Sequence, residues 1–180
     1  VEDLVRQGAV RYFAVSNFSV DQLALYCALE GGFSSRVRVA AVQNQFDILH
    51  GESEEHRGVL DYCARAGISF VAWSPLARGL LTERYLDPSK AGKGDRLVDE
   101  GALAEELTPE ISAKLSRLAA LAREWKMPLS RLAIAWMLTL PGMGPVIASA
   151  STPAQMEANA DGGKAQLTAE QRRRVAEAVG

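Results

Sequence analysis

The chain contains few of the residues from which metal and disulfide sites are built: two cysteines and two histidines among 180 residues. Cys27 and Cys63 have no CxxC partner, which predicts reduced, half-buried thiols in helices and no metal site. His50 and His56 do not adjoin a serine or cysteine in a nucleophile motif, so both are expected to be solvated. Asp47 precedes His50 by three residues, but this spacing alone does not predict an acid–base pair.

The chain also lacks a strong charge bias and long apolar runs. The formal charge of −2 gives no electrostatic footprint for nucleic acid, and no apolar run approaches the ~20 residues of a membrane-spanning helix. A content of 48% hydrophobic and 23% charged residues is typical of globular proteins. Composition therefore predicts a single soluble, cytoplasmic domain over residues 1–180. Residues 1–8 have the pattern of a helix that ends at a glycine, so the chain is expected to begin within an element, as a fragment would.

Short apolar runs alternate with helical periodicity along the chain. The apolar runs cover residues 10–15, 37–42, 68–73 and 146–148, and each is followed by helical sequence. This alternation predicts an α/β fold with four parallel strands and helical crossovers. Because the runs are nearly all apolar, both faces of the sheet are expected to be covered, and the polar residues that follow each run are expected to meet at one edge.

The third connection contains an inserted loop at about residues 77–107. It begins with compact apolar sequence and continues with a stretch rich in Gly, Lys, Asp and Glu. A loop of this length in a compact domain is usually a functional lid or a mobile segment. The helices that follow are expected to start at Thr108, Pro128 and Thr168.

Residues 144–159 combine a strand with a helix start that suits an anion. Residues 149–152 form a predicted tight loop, and Thr152 and Gln155 form a predicted capping box at the start of the helix. Free N–H groups at such a junction and the helix dipole attract anions, and βα barrels bind phosphate after their last strands. An ordinary capped helix is the alternative.

Three side chains at predicted strand ends suit a ring-shaped cofactor. Trp73 offers a flat surface for stacking, and the amides of Asn17 and Gln43 each offer a donor and an acceptor to a carboxamide. The alternatives are core packing for Trp73 and helix capping or loop support for the amides. The combination of amides, an aromatic ring and an anion-binding loop at the ends of consecutive strands is more specific than any one of them.

These features resemble the second half of an aldo-keto reductase. Four segments resemble successive family signatures, in family order: residues 11–19, 42–46, 73–81 and 151–159. The resemblance covers essentially the whole chain. It implies strands five to eight of a (β/α)8 TIM barrel with their helices, so we expect a partial barrel.

The resemblance also implies the cofactor, NADPH or sometimes NADH, and the residues that hold it. Positions that match the family's carboxamide ligands are Ser16, Asn17 and Gln43, and Trp73 matches the aromatic residue under the nicotinamide ring. Positions that match the pyrophosphate loop are Ser74, Pro75, Leu76 and Arg78. Positions that match the adenosine 2′-phosphate site are Ser149, Ala150, Ser151, Thr152 and Gln155, and Asn159 matches the adenine contact.

Two departures from the family pattern concern the 2′-phosphate. Many members place a lysine where Ser149 stands and an arginine where Gln155 stands. Hydrogen bonds from neutral groups are roughly half as strong as charge-assisted ones, so the preference for NADP is expected to be weaker. NADP is the first expectation and NAD stays open.

A larger departure concerns catalysis, because no residue of this chain matches the family's Asp, Tyr, Lys and His from the first four strands. Tyr12 is predicted in mid-strand, Tyr26 and Tyr62 in helices, and Tyr85 in the insertion. The resemblance implies an NAD(P)H-dependent oxidoreductase that reduces small carbonyl compounds, aldehydes or ketones, to alcohols. The chain would then be a fragment, inactive alone, whose open sheet edges pair with a missing half-barrel or with a second copy. The alternatives are a redox-sensing module that binds the cofactor without turnover and a structural half-barrel that binds no ligand.

Overall fold

The computed structural model describes residues 1–29 and 37–180, which form two compact units. The strand unit comprises Val1–Phe46, Glu52–Trp73 and Leu140–Ile147. The helical unit comprises Asp47–Gly51, Ser74–Thr139 and Ala148–Gly180.

The strand unit is built on a parallel sheet with the strand order β1-β2-β3-β4. Its strands are β1 (Phe13–Ser16), β2 (Val39–Gln45), β3 (Ser69–Trp73) and β4 (Met143–Ile147). Its helices are α1 (Glu2–Arg6), α2 (Val20–Leu29) and α3 (Val59–Ala66), with a 3-10 turn at Glu54–His56. The expected α/β fold with a parallel sheet is therefore confirmed.

The strand bounds differ from the predicted ones. β1 begins only at Phe13, so the prediction that Tyr12 lies in mid-strand is wrong, and this tyrosine is 79% exposed. β2 continues to Gln45, which places Gln43 inside the strand, because the ladder to β3 persists as far as Gln45 and Trp73. Polar residues at 43–45 are therefore part of the sheet.

One face of the sheet carries most of the buried side chains. Val42, Phe70 and Ala72 are fully buried, and Val15 is nearly so. On β1 the alternate residues are exposed, and Ile147 at the end of β4 is 45% exposed. The expectation that both faces are covered is therefore wrong for the two edge strands.

The helical unit has its own apolar core. Its helices are α4 (Arg96–Asp99), α5 (Leu103–Glu106), α6 (Pro109–Glu124), α7 (Leu129–Met137), α8 (Pro153–Lys164) and α9 (Ala169–Val179). Thr108 and Thr168 cap α6 and α9 through their side chains, and Pro128 precedes α7, as predicted. In α9 the full capping box forms between Thr168 and Gln171.

The segment at residues 77–107 is folded into short helices instead of one long loop. Three 3-10 turns precede α4 and α5. Tyr85 and Leu97 are buried, and the Leu97 N–H donates to the Tyr85 hydroxyl at 3.1 Å. Isolated apolar residues among the polar ones anchor the segment in the core, and for this reason its composition is a poor guide to its structure.

Two adjacent glycines in α8 differ in their surroundings. A Cβ at Gly162 would lie 2.9 Å from the Ile134 Cβ, whereas a Cβ at Gly163 would meet nothing within 4 Å. We expect Gly162→Ala to lower the free energy of unfolding by about 1–3 kcal/mol, because the methyl group overpacks α8 against α7. Gly163→Ala, the matched control, is expected to raise it by up to about 1 kcal/mol, because alanine has the higher helix propensity. Urea unfolding of both variants tests this, and equal effects would contradict it.

Candidate functional site

Four predicted site residues meet at the carboxyl ends of β1, β2 and β3. The Ser16 hydroxyl lies 3.2 Å from the Gln43 backbone oxygen and 3.4 Å from its side-chain Oε1. The Asn17 N–H donates to the same Gln43 backbone oxygen at 3.0 Å, and the Trp73 Nε1–H donates to the Asn17 Oδ1 at 3.3 Å. We call Ser16, Asn17, Gln43 and Trp73 the strand-end cluster. It places two amides, a hydroxyl and an indole within reach of one another.

Strained backbone occurs at the residues that leave two of these strands. Asn17 directly follows β1 with φ +54°, and Ser74 directly follows β3 with φ +58°. Residues other than glycine seldom adopt such angles. Asparagine does so more readily than serine, because its side chain can form a local hydrogen bond in that conformation. Backbone strain of this kind collects at ligand-binding sites, so it supports a functional role for this edge of the sheet.

Asn44 supports the strand-end cluster by binding the backbone next to Asn17. It was not among the predicted site residues. It is fully buried, its Nδ2 donates to the Phe18 carbonyl at 2.9 Å, and its Oδ1 accepts from the Phe18 N–H at 3.2 Å. These two bonds hold the turn that follows Asn17. The signal in the sequence was an amide at an inward-facing strand position, where an apolar residue is the ordinary choice.

The predicted pyrophosphate loop lies in the helical unit, directly after β3. Its residues are Ser74, Pro75, Leu76 and Arg78. A 3-10 turn at Ala77–Gly79 follows Leu76, and both Ala77 and Arg78 have positive φ. The Arg78 guanidinium is bound by two carboxylates, those of Glu100 and Glu106. The hydrogen bonds that Arg78 donates to these carboxylates, the one to Glu100 first, and their charges raise the pKa of Arg78. The predicted anion ligand thus already has anionic partners.

The predicted 2′-phosphate site lies in the loop before α8 and in the first turn of that helix. Its residues are Ser149, Ala150, Ser151, Thr152 and Gln155. The Thr152 hydroxyl accepts from the Gln155 N–H at 3.3 Å, which confirms the predicted N-cap. The Gln155 Oε1 accepts from the Ser151 N–H at 2.7 Å, so the predicted capping box is wrong by one residue, because the side chain reaches past Thr152. The Asn159 Nδ2 donates to the Ser149 carbonyl at 3.2 Å and closes the loop.

Asp47 and His50 form a pair that the sequence spacing did not predict. Asp47 is fully buried, and its Oδ1 accepts from the N–H groups of Leu49 at 2.8 Å and His50 at 3.0 Å. The His50 Nδ1 lies 3.0 Å from each carboxylate oxygen. Because the tight turn from Asp47 to Gly51 brings the ring back over the carboxylate, His50 has an acidic partner and is not simply solvated.

The second histidine, unlike the exposed His50, is not solvated as expected. His56 is buried, and its Nδ1 lies 2.9 Å from the Ser53 hydroxyl. Its 3-10 turn precedes α3, whose first N–H groups are bound by the Glu52 carboxylate, at 2.8 Å from Gly58 and 2.7 Å from Leu60. Glu52 thus caps α3 from outside the helix, a role that no local motif indicates.

The two cysteines are free thiols in helices, as predicted. Cys27 is half-buried, whereas Cys63 is fully buried, and burial raises the pKa of the Cys63 thiol to about 12. Within residues 1–29 and 37–180, no group of three or more His, Cys, Asp or Glu side chains is placed to hold a metal ion. The same residues include no helix whose length and apolarity would let it cross a membrane.

The Asp47 contact makes a pH-dependent prediction for His50. The hydrogen bond that the His50 ring donates to Asp47 raises the pKa of His50 above its ordinary value of 6.5, with Glu106 acting in the same direction and burial and Lys114 opposing it. The pair therefore stabilises the fold fully below about pH 6.5, and this contribution is lost as the pH rises through the folded-state pKa. Titration of the imidazole signals by NMR should give a value above 6.5 that falls in Asp47→Asn. A titration at or below 6.5 would contradict this.

Comparison with known proteins gives a family match and a fold match. The model of the Aldo/keto reductase family matches residues 1–179. A crystal structure of a thermostable aldo-keto reductase in complex with the inhibitor epalrestat matches with a TM-score of 0.67 at 21% identity, over 98% of this chain and 51% of that one. The second match is evidence for the fold alone.

Curated relatives come from fungi and bacteria. A Schizosaccharomyces pombe protein named "Putative aryl-alcohol dehydrogenase" is 32% identical over 140 residues, which is 77% of this chain and 41% of that protein. Versiconal hemiacetal acetate reductase of Aspergillus parasiticus is 27% identical over 150 residues, 82% of this chain and 42% of its own. L-glyceraldehyde 3-phosphate reductase of Escherichia coli K12 is 26% identical over 160 residues, 86% of this chain and 45% of its own.

The chain therefore spans about two fifths of the length of these relatives. The parallel sheet, the order of its strand-end residues and the family match over residues 1–179 agree with one another. The chain belongs to the aldo/keto reductase family.

Proposed function

We propose that this chain supplies the nicotinamide-cofactor-binding part of an oxidoreductase that reduces aldehydes or ketones to alcohols. The observation that carries the proposal is the strand-end cluster, in which side chains from three strands converge. The names of three relatives, a dehydrogenase and two reductases, favour carbonyl and alcohol chemistry. The corresponding architecture is strands five to eight of a (β/α)8 barrel, which pair with further strands at the edges formed by β1 and β4.

The chemistry of the strand-end cluster fits a nicotinamide ring. A carboxamide has one acceptor oxygen and one donor NH2 group, and the amides of Asn17 and Gln43 together offer both complements. The half-buried Trp73 indole donates its N–H to Asn17, which fixes the orientation of a ring on which a nicotinamide could stack. When bound, the cofactor supplies a hydride, and the role of this cluster is to hold the ring still.

The phosphates of the cofactor are assigned to the loops that follow β3 and β4. Ser74, Pro75, Leu76 and Arg78 would hold the pyrophosphate. Ser149, Ala150, Ser151, Thr152 and Gln155 would hold the 2′-phosphate, and Asn159 would contact the adenine. Hydroxyls and amides can bind a phosphate without a cation, so NADP is the first choice and NAD the second.

Proton transfer to the carbonyl oxygen is not assigned to this chain. The Tyr85 hydroxyl is buried and accepts the Leu97 N–H, Tyr12 is exposed ahead of β1, and Tyr26 and Tyr62 lie on α2 and α3. None stands at a strand end where it would meet a substrate over the nicotinamide. The 180-residue chain is therefore proposed to bind the cofactor and not to turn it over alone.

Titration with NADPH and NADH tests the proposal. We expect wild-type chain to bind NADPH, detected by energy transfer from tryptophan to the nicotinamide, and to leave NADPH unoxidised when an aldehyde is added. Gln43→Ala should weaken NADPH binding roughly five- to tenfold, since it removes one or two hydrogen bonds of about 0.5–1.5 kcal/mol each. Gln7→Ala, an exposed amide at the end of α1, is the matched control and should bind as wild type does. A folded wild-type chain that binds neither cofactor would refute the proposal.

The assignment of Gln155 to the 2′-phosphate gives a second, independent test. Gln155→Arg should raise the affinity for NADPH roughly tenfold while leaving that for NADH nearly unchanged, because a charge-assisted bond to phosphate adds about 1.5–3 kcal/mol and part of this is lost with the bond to Ser151. Gln166→Arg adds the same charge at an exposed position and serves as the control. Equal gains for both cofactors in Gln155→Arg would place the 2′-phosphate elsewhere.

A further inference from the structure

Arg78 is held by two carboxylates that come from the segment between β3 and α6. Its Nη1 donates to the Glu106 Oε1 at 2.6 Å, and its Nη2 donates to a Glu100 oxygen. The three side chains are between 27% and 37% exposed, so the ion pairs are partly shielded from solvent. Both terminal nitrogens of the Arg78 guanidinium, the pair that would bind an anion in a bidentate manner, therefore already have a carboxylate partner.

Glu100 has a second arginine partner, and Glu106 is placed by its position at the end of α5. Glu100 also accepts from the Arg96 Nε at 2.8 Å, one helical turn earlier, and this bond is the largest cause that lowers the pKa of Glu100. Glu106 ends α5, whose neighbour Leu107 packs against the core of the helical unit. With Arg96 counted, the cluster holds two arginines and two glutamates, so its charges balance while no anion is bound.

We infer that Glu100 and Glu106 act as internal competitors for the cofactor pyrophosphate at Arg78 and thereby lower cofactor affinity. This inference rests on the proposed function, because it takes Arg78 as a pyrophosphate ligand. The two carboxylates bind to Nη1 and Nη2, so a diphosphate that binds in a bidentate manner across these two nitrogens competes with them. When Arg78 binds the diphosphate, Glu100 retains Arg96 as its partner, whereas the Glu106 carboxylate becomes solvated.

The size of the effect follows from the exposure of the pairs. Partly exposed ion pairs are weak, so two pairs lost on binding correspond to a penalty of roughly two- to thirtyfold in affinity. The penalty applies to NADPH and NADH alike, because both contain the pyrophosphate. It is therefore distinct from any effect at the 2′-phosphate, which only NADPH carries.

The experiment compares cofactor binding by the full chain with and without the two acids. Glu100→Gln/Glu106→Gln should bind NADPH and NADH about five- to tenfold more tightly than wild type, by the same factor for each. Glu105→Gln/Glu110→Gln removes the same charge from exposed positions on α5 and α6 and should change neither affinity beyond a small, salt-sensitive amount. Urea unfolding of each variant verifies that the fold is retained.

A double-mutant cycle assigns the gain to Arg78. Arg78→Gln alone should weaken binding of both cofactors, and adding the two glutamate substitutions to Arg78→Gln should bring no further gain. A gain that persists without Arg78 would overturn the inference and leave only a general charge effect. Unchanged or weaker binding by Glu100→Gln/Glu106→Gln would also overturn it, because the acids would then position Arg78 instead of competing for it. If neither wild type nor variant binds a cofactor, the proposed function fails and this inference fails with it.

Discussion

The register of the parallel ladder is the constraint on which the candidate site depends. Ser16 pairs with Gln43, and Gln45 pairs with Trp73, so residues far apart in the sequence reach the carboxyl edge of the sheet at the same level. A slip of one residue would turn each side chain to the opposite face and separate the amides from the indole. The buried side chains of Val42, Phe70 and Ala72 oppose such a slip, since it would also expose them. Core packing and site geometry are thus specified by the same pairing.

The amides of the strand-end cluster and the neighbouring amide of Asn44 have different roles. Gln43 and Asn17 present polar atoms at the edge of the sheet. The Asn44 amide instead donates to the Phe18 carbonyl and accepts from the Phe18 N–H. A buried amide with both groups satisfied fixes a turn in one conformation, because any other leaves polar atoms unpaired. This fixed turn is what lets Asn17 hold its strained φ angle.

Much of the fold and part of the site could be predicted from the sequence. The four apolar runs and the caps at Thr108 and Thr168 are local patterns with a direct physical meaning, and each corresponds to an observed strand or helix start. The pairing of Asp47 with His50 and the capping of α3 by Glu52 could not be predicted, because both depend on how a turn folds back in space. The same is true of the two acids that hold Arg78, which come from 22 and 28 residues further along the chain.

The Tyr85 hydroxyl has a consequence for how the segment between β3 and α6 can vary in evolution. Because this hydroxyl accepts the Leu97 backbone N–H inside the core, the ring and the start of α4 must keep a fixed separation in space. Insertions and deletions are therefore expected to be better tolerated at the exposed residues 88–90 than next to either anchor.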